Sequence, residues 1–238
     1  MQWRAEKPTK VQSDLEHQAP KNNHAPAEGG PRPLGSGTSL AIGGFATTLT
    51  TLSLSLMEWR GVTTTNVYIG NFFFVAALGL LITAQWEMAF ARNGLAYSIF
   101  SAFGLFYGGY GAIITPSFGV QEAYGGDMRE YNNALGFFVI LWTVFVLMFL
   151  IAVLPTNLVY ILIFVFVELA FLFIAVSYFA AADGYAEAST ATKKVGGVMA
   201  FLAGLVGWYL TLHLLINDTI IELPLGDTSR YFAKSRKA

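Results

Sequence analysis

The sequence predicts an all-α integral membrane protein whose protomer carries six transmembrane helices, and three observations support that prediction. Of its 238 residues 55% are apolar and only 12% are charged, about half the charged share of an ordinary soluble domain, so the chain cannot cover itself with polar surface. The apolar residues lie in runs of about 20, the length that crosses a hydrocarbon core of about 30 Å. Inside those runs the period-2 alternation of a membrane barrel is missing, as in Phe137-Phe138-Val139-Ile140-Leu141 and Ile161-Leu162-Ile163-Phe164-Val165-Phe166. Helices must therefore satisfy the backbone in lipid.

Taken in order, residues 1–37 are polar and non-periodic, with Pro8, Pro20, Pro26, Pro31 and Pro33 beside Gly29, Gly30, Gly35 and Gly37. Such a segment offers no apolar face to bury and reads as a disordered tail. The first apolar run begins only near Ser39 with no cleavage-like site ahead of it, so it is expected to remain as a span and not to act as a signal peptide. The predicted spans are 39–58, 67–88, 95–115, 134–154, 158–182 and 196–216, within a membrane domain over 38–217 that is followed by a tail over 218–238. Only Pro155-Thr156-Asn157 joins the fourth and fifth spans, which makes them antiparallel neighbours. Ten basic residues fall on one side of this arrangement: Arg4, Lys7, Lys10, Lys21, Arg32, Arg92, Arg230, Lys234, Arg236 and Lys237. The other side holds Arg60, Arg129, Lys193 and Lys194. Positive charge stays in the cytoplasm, so both termini are expected there.

Composition also excludes several functions. With no cysteine there is no disulfide, thiol nucleophile or thiolate metal site. Net charge is −1 and the 14 basic residues are scattered, so no nucleic-acid surface is expected. No phosphate loop, HExxH or placeable Ser/His/Asp set occurs; no enzyme, metal site or cofactor is predicted. No lysine falls within a predicted span, which argues against a retinal Schiff base.

Polar groups inside the spans are the candidates for function. The first span carries Thr47, Thr48, Thr50, Thr51, Ser53 and Ser55. Their hydroxyls either bond back to their own helix or, for Thr47 and Thr48 above all, line a polar path. No Lys or Arg lies in a span, so a crossing anion would be met by hydroxyls, amides and helix N-termini. Glu168, near the middle of the fifth span, is a functional candidate by its depth: it exchanges a coupled proton, or it holds a neighbouring helix as a protonated carboxyl. Glu58 beside Trp59 and Glu87 beside Trp86 sit at span ends and read as interfacial. His213, one turn from the end of the last span, reads as structural ahead of a proton relay. Gly104 and Gly108, and Gly196, Ala200 and Gly204, recur at the spacing of close helix packing.

A series of motifs runs from the first span to the C-terminal tail, over about 190 of the 238 residues. It opens with Gly44-Phe45 and Thr47-Thr48, Trp86-Glu87, Arg92-Asn93-Gly94 leading into Phe100-Ser101-Ala102-Phe103-Gly104, and Pro116-Ser117-Phe118-Gly119. Ala134-Leu135-Gly136 with Trp142, Thr156-Asn157, Gly196-Gly197, Trp208-Tyr209 and Leu223-Pro224-Leu225-Gly226-Asp227 complete it. In order and spacing these motifs resemble the YaaH-type acetate uptake transporter family, which includes bacterial acetate/succinate permeases and fungal acetate or ammonia transport proteins. The tail and the last stretch look more like the fungal branch. The resemblance implies a six-helix protomer assembled as a homo-oligomer, a hexamer, in the plasma membrane, with acetate or a similar small monocarboxylate as substrate and ammonium as the alternative. It also implies one path per protomer, narrowed by a Phe, a Tyr and a Leu, whose positions here are Phe45, Phe103 and Val167. Phe103 lacks the tyrosine hydroxyl and Val167 is smaller than leucine. The family's Asn-Pro-Ala-Pro-Leu-Gly-Leu motif is poorly kept, and either Pro31-Arg32-Pro33-Leu34-Gly35 or Thr38-Ser39-Leu40-Ala41-Ile42 stands in its place.

Overall fold

The computed structural model describes residues 37–216 and 221–232; the tail expected over 1–37 lies almost wholly outside them. Six of its helices are long and apolar enough to span a membrane: α1 Thr38–Leu56, α2 Asn71–Ala91, α3 Gly94–Ile114, α4 Met128–Val153, α5 Leu158–Ala182 and α6 Ala186–Ile216. A short α7, Ser229–Phe232, follows. The chain is thus a multi-pass integral membrane protein, as its composition requires.

The helix starts follow from side chains that catch free amides. Asn93 accepts from the Ala96 amide at 3.0 Å, Asp127 from Glu130 at 2.9 Å and Asn157 from Tyr160 at 3.0 Å, opening α3, α4 and α5. Helix α2 widens into π-turns over Asn71–Leu78 and Glu87–Ala91, a geometry found mostly at functional sites. Two helices start earlier than hydropathy predicts. Helix α4 begins six residues before 134, and α6 begins ten residues before 196, because the turns around Arg129 and Lys193 are helical although too polar for hydropathy to count them in a span.

Close approach of backbones holds the bundle together. Helix α6 packs along both α1 and α5, α4 along α5, and α2 along α3. The α1–α6 seam is antiparallel: Gly43 meets Thr211, Gly207 meets Ala46, Gly204 meets Thr50, and Gly197 meets Met57. A Cβ on Gly207 would lie 3.1 Å from that of Ala46. Gly104 sits against Ala77 and Leu81 of α2, and Gly196 against Ala170 and Ile174 of α5. These small residues therefore serve packing within the protomer, where shape and not hydrophobic force holds helices in lipid.

Candidate functional site: two cavities along the bundle

The helix ends at Thr38, Gly94, Val153 and Leu158 share one end of the bundle, and there a first cavity opens, with a volume of about 230 Å³. Its wall comes from Ile42 and Phe45 of α1, Leu80 of α2, Ile99, Phe100 and Phe103 of α3, Val153 of α4, and Ile163 and Phe164 of α5. Asn93, Thr156 and Tyr160 bring polar groups to it. Asn93 and Leu95 are exposed, so the mouth faces outward at this end. Its floor is aromatic. Phe45 and Phe103 meet edge to face at 5.5 Å between ring centres, and Phe103, Phe149 and Phe164 lie within 6.4 Å of one another.

A second cavity of about 40 Å³ follows further along, between Leu49 and Leu52 of α1, Phe106, Tyr107 and Tyr110 of α3, and Val167 and Tyr178 of α5. On three helices the last residue of the first cavity and the first of the second are one turn apart: Phe45 and Leu49, Phe103 and Phe106, Phe164 and Val167. A partition one helical turn thick, about 5 Å, thus separates the two spaces on these helices, and the rings of Phe45, Phe103 and Phe164 face one another there.

The anticipated residues therefore divide. Phe45 and Phe103 come together at the partition, whereas Val167 lies on its far side, and the ring facing Phe103 from α5 is Phe164. Thr47 is exposed and donates to the Gly43 carbonyl at 2.7 Å. Thr48 is buried, donates to the Gly44 carbonyl at 2.8 Å and accepts from the Asn71 amide at 2.6 Å. Neither lines either of these two cavities; each hydroxyl donates to a carbonyl of its own helix, as hydroxyls in lipid commonly do. Glu168 lines neither cavity, and its Oε2 is buried without a hydrogen-bond partner. It shares a stripe with Phe164 and Phe171, three to four residues away, and Phe164 faces Phe149 of α4.

Glu87 stands in the last turns of α2 and is buried against the protein. It is 1% exposed and accepts from the Thr38 hydroxyl at 2.9 Å, tying the end of α2 to the start of α1 beside the cavity mouth. Glu58 is half-buried just beyond α1, where Lys194 bonds it at 2.7 Å and holds its carboxyl below the ordinary value of 4.5. His213 is buried, and its Nδ1 lacks a partner. Sequence reasoning missed Tyr160 and Phe164 as lining residues. Asn93 and Thr156 were visible as motif residues, but nothing in the sequence showed that they meet at one mouth.

The profile of the GPR1/FUN34/yaaH family matches residues 20–225. Over 206 residues, 86% of this chain and 83% of the other, the protein is 47% identical to the acetate transporter protein patA of Aspergillus clavatus. Over 170 residues, 71% of this chain and 57% of the other, it is 29% identical to ammonia transport outward protein 2 of Saccharomyces cerevisiae. The fold is similar to that of the bacterial acetate channel SatP, with a TM-score of 0.69 and 20% identity over 81% of this chain and 99% of that one.

Proposed function

The chain belongs to the GPR1/FUN34/yaaH family, and from that premise we propose that it carries acetate and related short monocarboxylates across a membrane through one path in each protomer. The observation that carries this reading is the pair of cavities separated by a single turn on each of three helices. A carboxylate entering the first cavity meets Asn93, Thr156 and Tyr160, which replace part of its hydration without the tight grip of a fixed cation. Beyond them Phe45, Phe103 and Phe164 admit only a small solute, with Val167 just past the narrowing. Crossing that turn as the neutral acid avoids most of the cost of desolvating an anion, which makes proton-coupled transport and channel-like passage variants of one path. Glu168 is the candidate for coupling, since its Oε2 is buried with no donor.

In this reading the protein is a transporter and not an enzyme, has both termini in the cytoplasm, lies in the plasma membrane and assembles as a homo-oligomer, a hexamer, embedded among lipids. Protein reconstituted in liposomes should take up labelled acetate faster than empty vesicles, and uptake should rise with an inward proton gradient if passage is coupled. Ammonium export is the second reading, favoured by the similarity to an ammonia transport outward protein and by a lining without Lys or Arg. It predicts an ammonia-driven pH change without acetate flux. Movement of neither solute would leave a receptor or scaffold.

A further inference from the structure

We propose that the C-terminal segment over residues 224–228 is a strap that holds the mouth of the first cavity in its substrate-accepting shape, with Thr228 as the positioning residue. The proposal rests on reading that cavity as the transport path.

A turn between two helices leaves the last carbonyls of one and the first amides of the other without partners. Between α4 and α5, Asn157 satisfies only the Tyr160 amide through its side chain. The strap supplies four more bonds. Gly226 offers its carbonyl to the Leu158 amide at 2.7 Å, and Leu225 offers its carbonyl to the Val159 amide at 3.3 Å. The Thr228 hydroxyl donates to the Leu154 carbonyl at 2.7 Å, and the Thr228 amide to the Thr156 carbonyl at 3.4 Å. A third anchor comes from α6, where the Tyr209 hydroxyl donates to the Pro224 carbonyl at 2.7 Å. Gly226 has a φ of +72°, and a Cβ there would lie 3.0 Å from that of Leu158, so only glycine lets the strap approach this closely.

Val153, Thr156 and Tyr160, from the same turn, line the cavity. Thr228 thus touches no cavity but bonds the backbone that aims Thr156 into it. The strap is held mainly by these polar bonds: Pro224, Gly226 and Asp227 are exposed, and Leu223 and Leu225 are only half-buried. Such an attachment can be released without opening the packed core, which suits a part that sets the shape of a mouth.

Two readouts test this on the full-length protein. The chain has no cysteine, so Ile163→Cys, on the cavity wall, gives a single site for a thiol reagent. Adding Thr228→Val should speed labelling several-fold and raise the half-saturating acetate concentration in liposomes several-fold, with a smaller change in maximal flux. Thr228→Ser should restore both. Tyr209→Phe, which removes only the α6 anchor, should move both in the same direction by less and remains informative should Thr228→Val misfold. A lower unfolding temperature with unchanged labelling and half-saturation would make the strap mere glue and overturn the proposal. If the unaltered protein moves no acetate, the transport reading fails, and labelling alone still decides the strap.

Discussion

Phe103 sits where width matters most, because its ring meets Phe45 from α1, Phe149 from α4 and Phe164 from α5 at one level of the bundle. Replacing it by Ala deletes one side of the partition, so Phe103→Ala, and Phe45→Ala likewise, should admit larger monocarboxylates such as lactate. Uptake of labelled lactate by the reconstituted variants checks this; an unchanged substrate range in both folded variants moves the constriction elsewhere. Glu168 is judged by removing its proton while keeping its shape. If it carries the coupling, Glu168→Gln should abolish the response of acetate uptake to a pH gradient and leave passive exchange intact. If it has no part in coupling, the Gln variant keeps gradient-driven uptake. Motif spacing singled out Phe45 and Phe103, whose rings meet in the structure, but not Phe164, the ring that faces Phe103 from α5. Helix α5 is apolar around most of its circumference over Leu158–Ala182, so no periodicity marks its inner face. Thr47 and Thr48 could not be assigned for a related reason: a hydroxyl that bonds its own helix is equally at home facing lipid, a neighbouring helix or a path.

Among the elements, the α1–α6 seam shows how little space separates spans. Gly204 lies against Thr50 and Gly207 against Ala46, so a larger side chain must force the helices apart. Gly207→Leu should destabilise the protein by about 1–3 kcal/mol or more, read as a fall in unfolding temperature in detergent, whereas the same change at the open Gly70 should have little effect. The strap has its own pH signature. The Ser229 amide donates to Asp227 at 2.8 Å, and that bond is the main cause holding the Asp227 carboxyl below its ordinary value of 3.8. A depressed carboxylate stabilises above its unfolded value, and that stabilisation fades as pH falls through the lower folded one. Thiol-independent stability of the strap, measured by limited proteolysis, should thus stay flat from neutral pH down to about 4 and decline below, and Asp227→Asn should remove that decline. The number and order of spans were legible because lipid imposes a length and a composition on each. The early starts of α4 and α6 were not, since hydropathy marks where lipid ends and not where hydrogen bonding ends. At 31 residues α6 is about 46 Å long, well beyond a core of about 30 Å.

For the whole molecule, the open question with the sharpest physical handle is which way the first cavity faces. Its mouth lies at the end where α2 stops and α3 starts, the end that carries Arg92, the start of α1 and the end of α6. The opposite end carries Arg60, Arg129, Lys193 and Lys194, and Lys194 is paired with Glu58 there. In the sequence, ten of the 14 basic residues belong to the segments that join the bundle at the first end, so by retention of positive charge that end is expected in the cytoplasm. Orientation of the termini and orientation of the mouth then become one prediction with two independent measurements. A tag on either terminus should be reached by protease only after the membrane is permeabilised. The Ile163→Cys protein should react with a membrane-impermeant thiol reagent from the cytoplasmic face and stay protected from outside, because the apolar turn of Phe45, Phe103 and Phe164 stands between Ile163 and the other side. A buried tag with a cavity labelled from outside would show that the partition does not close the path. An exposed tag would invert the whole protein, and with it the direction in which the wide cavity first meets its substrate.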